Sequence, residues 1–496
     1  MDDILARHRV QHRAPRLLPA RVGVYFLLAQ ALFAGVGALG IWQKLTRGVS
    51  FSQRRPSEKA LRDLRARIGT GPMRELFDAL AGPLAPPHTI GVGYRGLRTV
   101  AFDGCASTKV PDNEDNTSWL GKILHKVGWA GYPTVMIVAL VETGTRGLLG
   151  AVFGTRITGE TAWACRLLRH LGPGMLVLLD RAFDANDFLT RTAATGAHLL
   201  VRLQSKRRPP IRAKLPDGSY LTEFDGLRVR VIEARTHALL ADGRVVGGTY
   251  RLATTLLDHR RDPAARLVRL YHERWEIESA FLALRHTLMQ GRVLRSTTPN
   301  GLEQELWAIL CACQVLRRAM VDSVPAGQRL DPDRLSFTVA LRCAQESVGG
   351  AEGVLDQTPW TDTAFAYALR AAIMPPRRPR LSTRKVKSPI SRYHERKDDG
   401  RPTRSTRVRL IRTLVDAPTG EVEPLVIRPP GISERVLNVM RAEPCILAWH
   451  APDLLKRLVG TTENQIHKCL YRLTRSGILR RISHGSYELL TTRRSR

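Results

Sequence analysis

Residues 175–180 read Met-Leu-Val-Leu-Leu-Asp, five consecutive apolar side chains closed by a carboxylate. An unbroken apolar run of this length is the pattern of a strand buried on both faces, and such strands belong to parallel sheets with helices packed on each side. A parallel neighbour is reached only through a crossover, usually helical, so the run predicts an α/β chain. The neighbouring sequence agrees. Residues 99–103, 134–141 and 148–153 are short β-type runs, with Gly144 and Gly147 as hairpin signals between the second and third. Residues 158–171 and 184–195 read as helices, and 198–203 as one more strand.

Three meander strands followed by helix, strand, helix and strand is the layout of a ribonuclease H-like sheet, and it predicts a catalytic core over residues 97–325. Alternating segments at 218–222, 227–233, 236–240 and 250–255, with Asp217-Gly218 and Asp242-Gly243 as turns, form a β-rich insertion within 204–262. A long helix over 264–289 resumes the core, with helical sequence at 307–320 and 335–347 and a helical extension over 326–375. Residues 1–96 read as a helical N-terminal domain. Ser57 is a candidate N-cap for a basic helix over 57–68, a second amphipathic piece spans 73–80, and Pro-rich 82–87 marks the boundary. Basic helices suit DNA binding, and a purely structural cap suits the same segment.

Residues 376–430 are a basic linker, densest in Arg, Lys, Pro and Ser over 376–412. Beyond it, helices at 434–441, 451–459 and 462–476 and a hairpin over 478–490, turning at His484-Gly485, make a winged helix over 431–496. In its third helix Ile466, Leu470 and Leu473 share an inward face, while Asn464, Lys468, Arg472 and Arg475 share the other. That second face carries donors for phosphates and base edges. A winged helix used for dimerisation fits the same pattern.

Charge supports a polyanionic partner. Lys and Arg number 77 against 45 acids, a formal net charge of +32, and nucleic acid is the polyanion such an excess attracts. None of the seven cysteines forms a CxxC pair, which argues against a zinc site or disulfide framework and for a reducing cytoplasm. Cys311 and Cys313, two apart in a helical run, point to different faces and read as buried thiols. Residues 22–41 are uncharged and of about membrane-spanning length. Gln30, several glycines and the basic chain that follows favour a soluble helical segment instead.

Three carboxylates stand where this layout would gather them: Asp103 at the end of the first strand, Asp180 at the end of the fourth, and Glu278 in the long helix. At about 100° per residue, Tyr271, Arg274, Glu278 and Arg285 fall within about 60° of one another, whereas Glu273 and Glu276 point elsewhere. Leu270, Ile277, Phe281, Leu284 and Leu288 form the adjoining apolar stripe. Hard oxygen ligands suit Mg²⁺, with Mn²⁺ able to substitute, and two such ions stabilise the attacking and leaving oxygens of a phosphodiester displacement.

The segments Ala101-Phe102-Asp103-Gly104, Leu178-Leu179-Asp180-Arg181-Ala182-Phe183 and Tyr271-His272-Glu273-Arg274-Trp275-Glu276-Ile277-Glu278 resemble the three acid-bearing motifs of DDE transposases of insertion sequence family 4. That family's third motif runs tyrosine, arginine, glutamate, lysine. Tyr271, Arg274 and Glu278 match, and Arg285 stands in the lysine position. The resemblance covers roughly residues 15–390. It implies a metal-dependent enzyme that binds terminal inverted repeats, cleaves element ends and joins their 3′-hydroxyls to target DNA, working as at least a dimer in a cytoplasmic, nucleoid-associated complex. The C-terminal winged helix lies outside the family pattern.

Other acids read differently. Asp112, Glu114 and Asp115 suit a solvated loop, Asp184 an N-cap, and Asp187 the first turn of the next helix. Trp275 reads as a surface or DNA-side residue, and Trp119 and Trp129 as core, rim or base-stacking residues. A domesticated DNA-binding regulator and a stand-alone nuclease are the alternative functions.

Overall fold

The computed structural model describes residues 1–10, 18–47, 55–125, 128–129, 131–239, 245–325, 330–350, 364–375, 409–414, 432–442, 446, 448–458, 461–483 and 485–490. The chain divides into two compact units, Met1–Ile232 with Arg251–Pro379, and Glu233–Tyr250 with Arg380–Arg496.

The first unit opens with helices α1 (Asp2–Arg7), α2 (Ala20–Leu32), α3 (Ala38–Leu45), α4 (Glu58–Ile68) and α5 (Gly71–Leu80). The Ser57 hydroxyl accepts from the Ala60 N–H at 3.1 Å and caps α4 as expected. The uncharged stretch at 22–41 is split by Gly37 between α2 and α3, and its Phe26, Ala29 and Ile41 pack with Trp42 and Leu61 in a helical core. Among the described residues no helix is long and apolar enough to cross a membrane.

Next come β1 (Gly93–Tyr94), β2 (Leu97–Lys109), α6 (Glu114–Leu120), β3 (Leu124–His125), β4 (Gly128–Trp129), β5 (Thr134–Glu142), β6 (Leu148–Gly154), α7 (Glu160–Cys165), β7 (Met175–Leu179), α8 (Asn186–Ala194) and β8 (His198–Arg202). Their order in the sheet is β6-β5-β2-β7-β8, with β6, β5 and β2 antiparallel and β2, β7 and β8 parallel. The fold is mixed α/β around a large central sheet, and this order fits the expected ribonuclease H-like layout. One face of β2 packs Val100 and Phe102 against Trp163, Ala164 and Leu167 from the region of α7. The helix read over 158–171 is interrupted, because Gly159 at φ 79° starts it late and a 3₁₀ turn at Leu168–His170 carries Leu168 into that core.

The sheet continues through β12 (Val245–Thr254), β11 (Leu227–Leu239), β10 (Tyr220–Phe224) and β9 (Ala213–Lys214). β11 is one strand where two were expected, since nothing at 234–235 favours a turn. The β10–β11 hairpin turns at Asp225-Gly226, both at positive φ, which is the two-residue turn that Asp-Gly prefers. The expected turn at Asp242-Gly243 lies outside the described residues.

The helix read over 264–289 also differs. It runs as α9 (Ala264–Tyr271), a 3₁₀ turn (His272–Trp275), α10 (Glu276–Leu282) and a π-helical turn (Ala283–Leu288). Helices α11 (Pro299–Asp322), α12 (Phe337–Gly350) and α13 (Ala364–Ala371) complete the unit.

In the second unit, β13 (Arg409–Leu414) pairs antiparallel with β11. The expected linker is therefore a strand there, where Leu410, Ile411 and Leu414 break the charged composition, and its other residues over 376–430 lie outside the described ones. Then come α14 (Ile432–Ala442), β14 (Trp449–His450), α15 (Ala451–Arg457), α16 (Glu463–Arg475), β15 (Leu479–Ser483) and β16 (Ser486–Leu489), with strand order β14-β16-β15. Val436, Trp449, Leu454, Ile466, Leu470 and Leu473 form their core.

Candidate active site at the open end of the sheet

β2 and β7 pair in parallel from Arg98↔Met175 to Ala101↔Leu178. Asp103 and Asp180 each stand two residues past that last pair, so they emerge in the same pleat phase on adjacent strand ends, where the neighbouring backbones are roughly 5 Å apart. Asp180 caps the following turn, its Oδ1 accepting from the Ala182 N–H at 2.6 Å. Asp103 pairs in register with Ala139 of β5, and Ala139 and Val141 line a small cavity with Phe281 and Leu284. Asp103 thus faces the side of the sheet covered by the helical segment that carries Glu278.

Arg274 pairs with the third acid. Its guanidinium lies 3.6 Å from a Glu278 carboxylate oxygen, and the side chain is only 5% exposed. Burial alone would lower its pKa, but Tyr271, Asp103, Asp180 and Glu278 together raise it, which places all three acids within electrostatic reach of one cation. The broken helix explains the alignment: a 3₁₀ turn has three residues per turn, so Tyr271 and Arg274 eclipse, and Glu278 follows four residues later. Tyr271 is pushed up to about 12 by burial, and His272 down to about 4 by burial and then by Arg202 and Arg274. Trp275 is half-buried, 5.0 Å from the Arg274 guanidinium.

The Asp103 carboxyl is pushed up to about 7, first by burial, then by the negative charge of Glu160, with Arg274 opposing and Glu278 adding. Glu160 was not among the residues singled out in the sequence. The signal present was the dipeptide Gly159-Glu160 opening a helix beside the first strand.

Glu276 is buried where Glu278 is half-buried. It accepts from Arg146 Nε at 2.8 Å, and Arg146 also pairs with buried Asp333. This ion network fastens α10 to the β5–β6 turn, while Glu278 stands half-buried beside Arg274. Sequence reading did not identify the network. Asp184 is not the N-cap of α8, a place taken by Ala185. It is instead a buried acid that accepts from the Gln204 N–H at 2.8 Å and pairs with Arg207. Asp112 pairs with Lys122 at 2.6 Å, while Glu114 and Asp115 sit in the first turn of α6.

Arg285 lies half-buried on the π-helical turn, where the single α-helix expected over 264–289 is interrupted. Asn464, Lys468, Arg472 and Arg475 are all exposed on α16, opposite buried Ile466, Leu470 and Leu473. Trp119 is half-buried, and the side chain of Trp129 lies outside the described residues.

The oxygen-only donor set fits a hard divalent cation. Among the described residues no three His, Cys, Asp or Glu side chains close on one point. The Arg274 Nε is buried without a hydrogen-bond partner, a donor left over at the acids it acts on.

Known proteins are similar to parts of this chain. The transposase DDE domain family matches residues 103–314, and the insertion element 4 transposase N-terminal family matches residues 1–78. The transposase InsG for insertion sequence element IS4 of Escherichia coli (strain K12) is 27% identical over 348 residues, 66% of this chain and 76% of that protein. The putative transposase InsZ of the same organism is 27% identical over 143 residues, 29% of this chain and 48% of that one. A solved piggyBac transposase synaptic complex with hairpin DNA overlaps 78% of this chain and 84% of its own at 12% identity and a TM-score of 0.35. The two matched families account for the N-terminal helices and for the segment from the first acid through the third, and the chain belongs to the DDE transposases of insertion sequence family 4.

Proposed function

We propose that this DNA transposase binds the terminal inverted repeats of its element, cleaves the ends and joins their 3′-hydroxyls to target DNA at one site built from Asp103, Asp180 and Glu278. The observation that supports this reading is that Asp103 and Asp180 leave adjacent parallel strands at the same height, with Glu278 3.6 Å from buried Arg274, a cation on which all three acids act. The three acids would hold two Mg²⁺ ions, or Mn²⁺ in their place. When bound, such ions stabilise the attacking and leaving oxygens of an in-line phosphoryl displacement. Arg274 orients Glu278 and offers its Nε–H to an incoming phosphate. Tyr271, held protonated by burial, supports Arg274 at the same wall and would contact the DNA, as would Arg285 further along.

We assign residues 1–96 to a helical domain that binds DNA together with the core, and residues 431–496 to a winged helix. Support for the second comes from three helices, a small sheet and an exposed α16 face bearing Asn464, Lys468, Arg472 and Arg475. A homodimer pairing two ends is the working form, in the cytoplasm at the nucleoid.

The test uses full-length protein, labelled element-end DNA and a target plasmid. D103N, D180N and E278Q should each lower Mg²⁺-dependent cleavage by on the order of 10³-fold or more while end binding persists. Undiminished cleavage in any of them removes that acid from the site. Hydrolysis without joining would point to a stand-alone nuclease, and end binding without cleavage by the unmodified chain to a regulator.

A further inference from the structure

Gly104 is a glycine without a conformational reason. Its backbone is not among the positive-φ positions, so an alanine would be tolerated by the chain itself. What a Cβ there would meet is Glu160: built on Gly104, it stands 2.9 Å from both Cδ and Oε1 of that side chain. The missing side chain therefore makes room for one particular carboxylate beside Asp103.

The topology says why that carboxylate arrives there. Residues alternate across β2, so Gly104 looks to the face covered by α7, the face of Val100 and Phe102, while Asp103 looks to the face covered by α10. The parallel pairing of β2 with β7 ends at Ala101, so beyond it the strand is open on that edge. Glu160, the first residue of α7, lies over Gly104 at this open edge, and Glu278 approaches Asp103 from the opposite face. Each of the two layers flanking the sheet thus sends one glutamate to the same strand end.

We propose that Glu160 is a fourth acid of the metal site, an oxygen ligand for the divalent ion that Asp103 holds, admitted by the absent side chain of Gly104. This rests on the reading of Asp103 as a metal ligand. Position supports it: the Glu160 carboxylate lies against the backbone of Gly104, the residue next to Asp103. Like charges gathered in a partly buried place are relieved by a cation.

The test measures Mn²⁺ alone binding to the full-length, DNA-free protein, by calorimetry and by the paramagnetic signal of free Mn²⁺, with thermal unfolding in chelator as a fold control. E160Q should weaken Mn²⁺ binding by about tenfold or abolish one of two binding events. G104A keeps every carboxylate and should weaken binding similarly by displacing Glu160. Combining the two should cost little more than either alone, because both act through the same group. Unchanged Mn²⁺ binding in folded E160Q overturns the proposal, as does a G104A/E160Q double variant whose losses add in full. D103N separates the two levels of argument. If D103N binds Mn²⁺ like the unmodified protein, the metal-site reading itself fails. If D103N loses binding while E160Q does not, only the role of Glu160 falls.

Discussion

Arginine serves opposite ends in the two units. In the first, Arg146, Arg230, Arg274 and Arg317 are almost completely buried, and three of them pair with acids: Arg146 with Glu276 and Asp333, Arg230 with Asp217, and Arg274 with Glu278. In the second, Lys468, Arg472 and Arg475 stand exposed along one face of α16. These four buried arginines and the four acids cancel in the sum, so the formal net charge of +32 comes from the other residues. The buried guanidiniums offer planar forks that fix carboxylates in place, and they act on architecture. The exposed ones are screened, mobile and interchangeable, and they act on affinity and its salt dependence.

The sharpest way to break this contrast is to remove a buried arginine. Arg146→Ala leaves Glu276 and Asp333 as buried acids without their cation, and such an uncompensated pair typically costs about 3–5 kcal/mol. Equilibrium unfolding in urea should show a loss of that order. A loss under about 1 kcal/mol would mean that the first unit's arginines are no more structural than those on α16.

The same division explains what the sequence revealed. Strand ends were readable because a five-residue apolar run ending in Asp180 has few other uses, and pairing to Ala101 then fixed the height of Asp103. Helical angle set Glu278 apart from Glu276, and the structure also separates them, Glu276 buried against Arg146 and Glu278 half-buried beside Arg274, although the helix is broken: a 3₁₀ turn brings residues three apart into line almost as an α-helix does. The π-helical turn that carries Arg285 was not readable, because it has no sequence signature. Glu160 and the Arg146 network were invisible for another reason. Both depend on contacts between residues 56 or more positions apart, and periodicity reports only on near neighbours.

A second prediction concerns the acids the buried cations serve. With its pKa raised from 3.8 to about 7, Asp103 binds more protons in the folded chain than in the unfolded one between those values. Stability contributed by this group therefore falls as pH rises through that window and is lowest above pH 7. In metal-free buffer with chelator, D103N should stabilise the protein at pH 9 by about 2–4 kcal/mol and by clearly less at pH 5. Thermal unfolding at the two pH values checks this. An equal gain at both would assign the effect to packing rather than to ionisation.

On α16 the expected effect is smaller and of another kind. Arg472→Ala and Lys468→Ala remove exposed charge from a helix whose core face is Ile466, Leu470 and Leu473, so unfolding stability should change by less than about 0.5 kcal/mol. Binding should move instead. Each lost phosphate contact lowers the slope of log affinity against log salt by about 0.9 and, at moderate salt, costs about 1 kcal/mol, roughly fivefold in affinity. If the contacts are to phosphate, the loss should be the same on element-end DNA and on unrelated duplex of equal length. Asn464→Ala separates the possibilities further, because an uncharged side chain cannot change the salt slope. A loss confined to element-end DNA would make Asn464 a base reader and give α16 a part in choosing the ends. Unchanged binding in all three variants, with the fold intact, would leave the exposed face of α16 to protein contacts, and the division between the units would then be one of architecture and assembly.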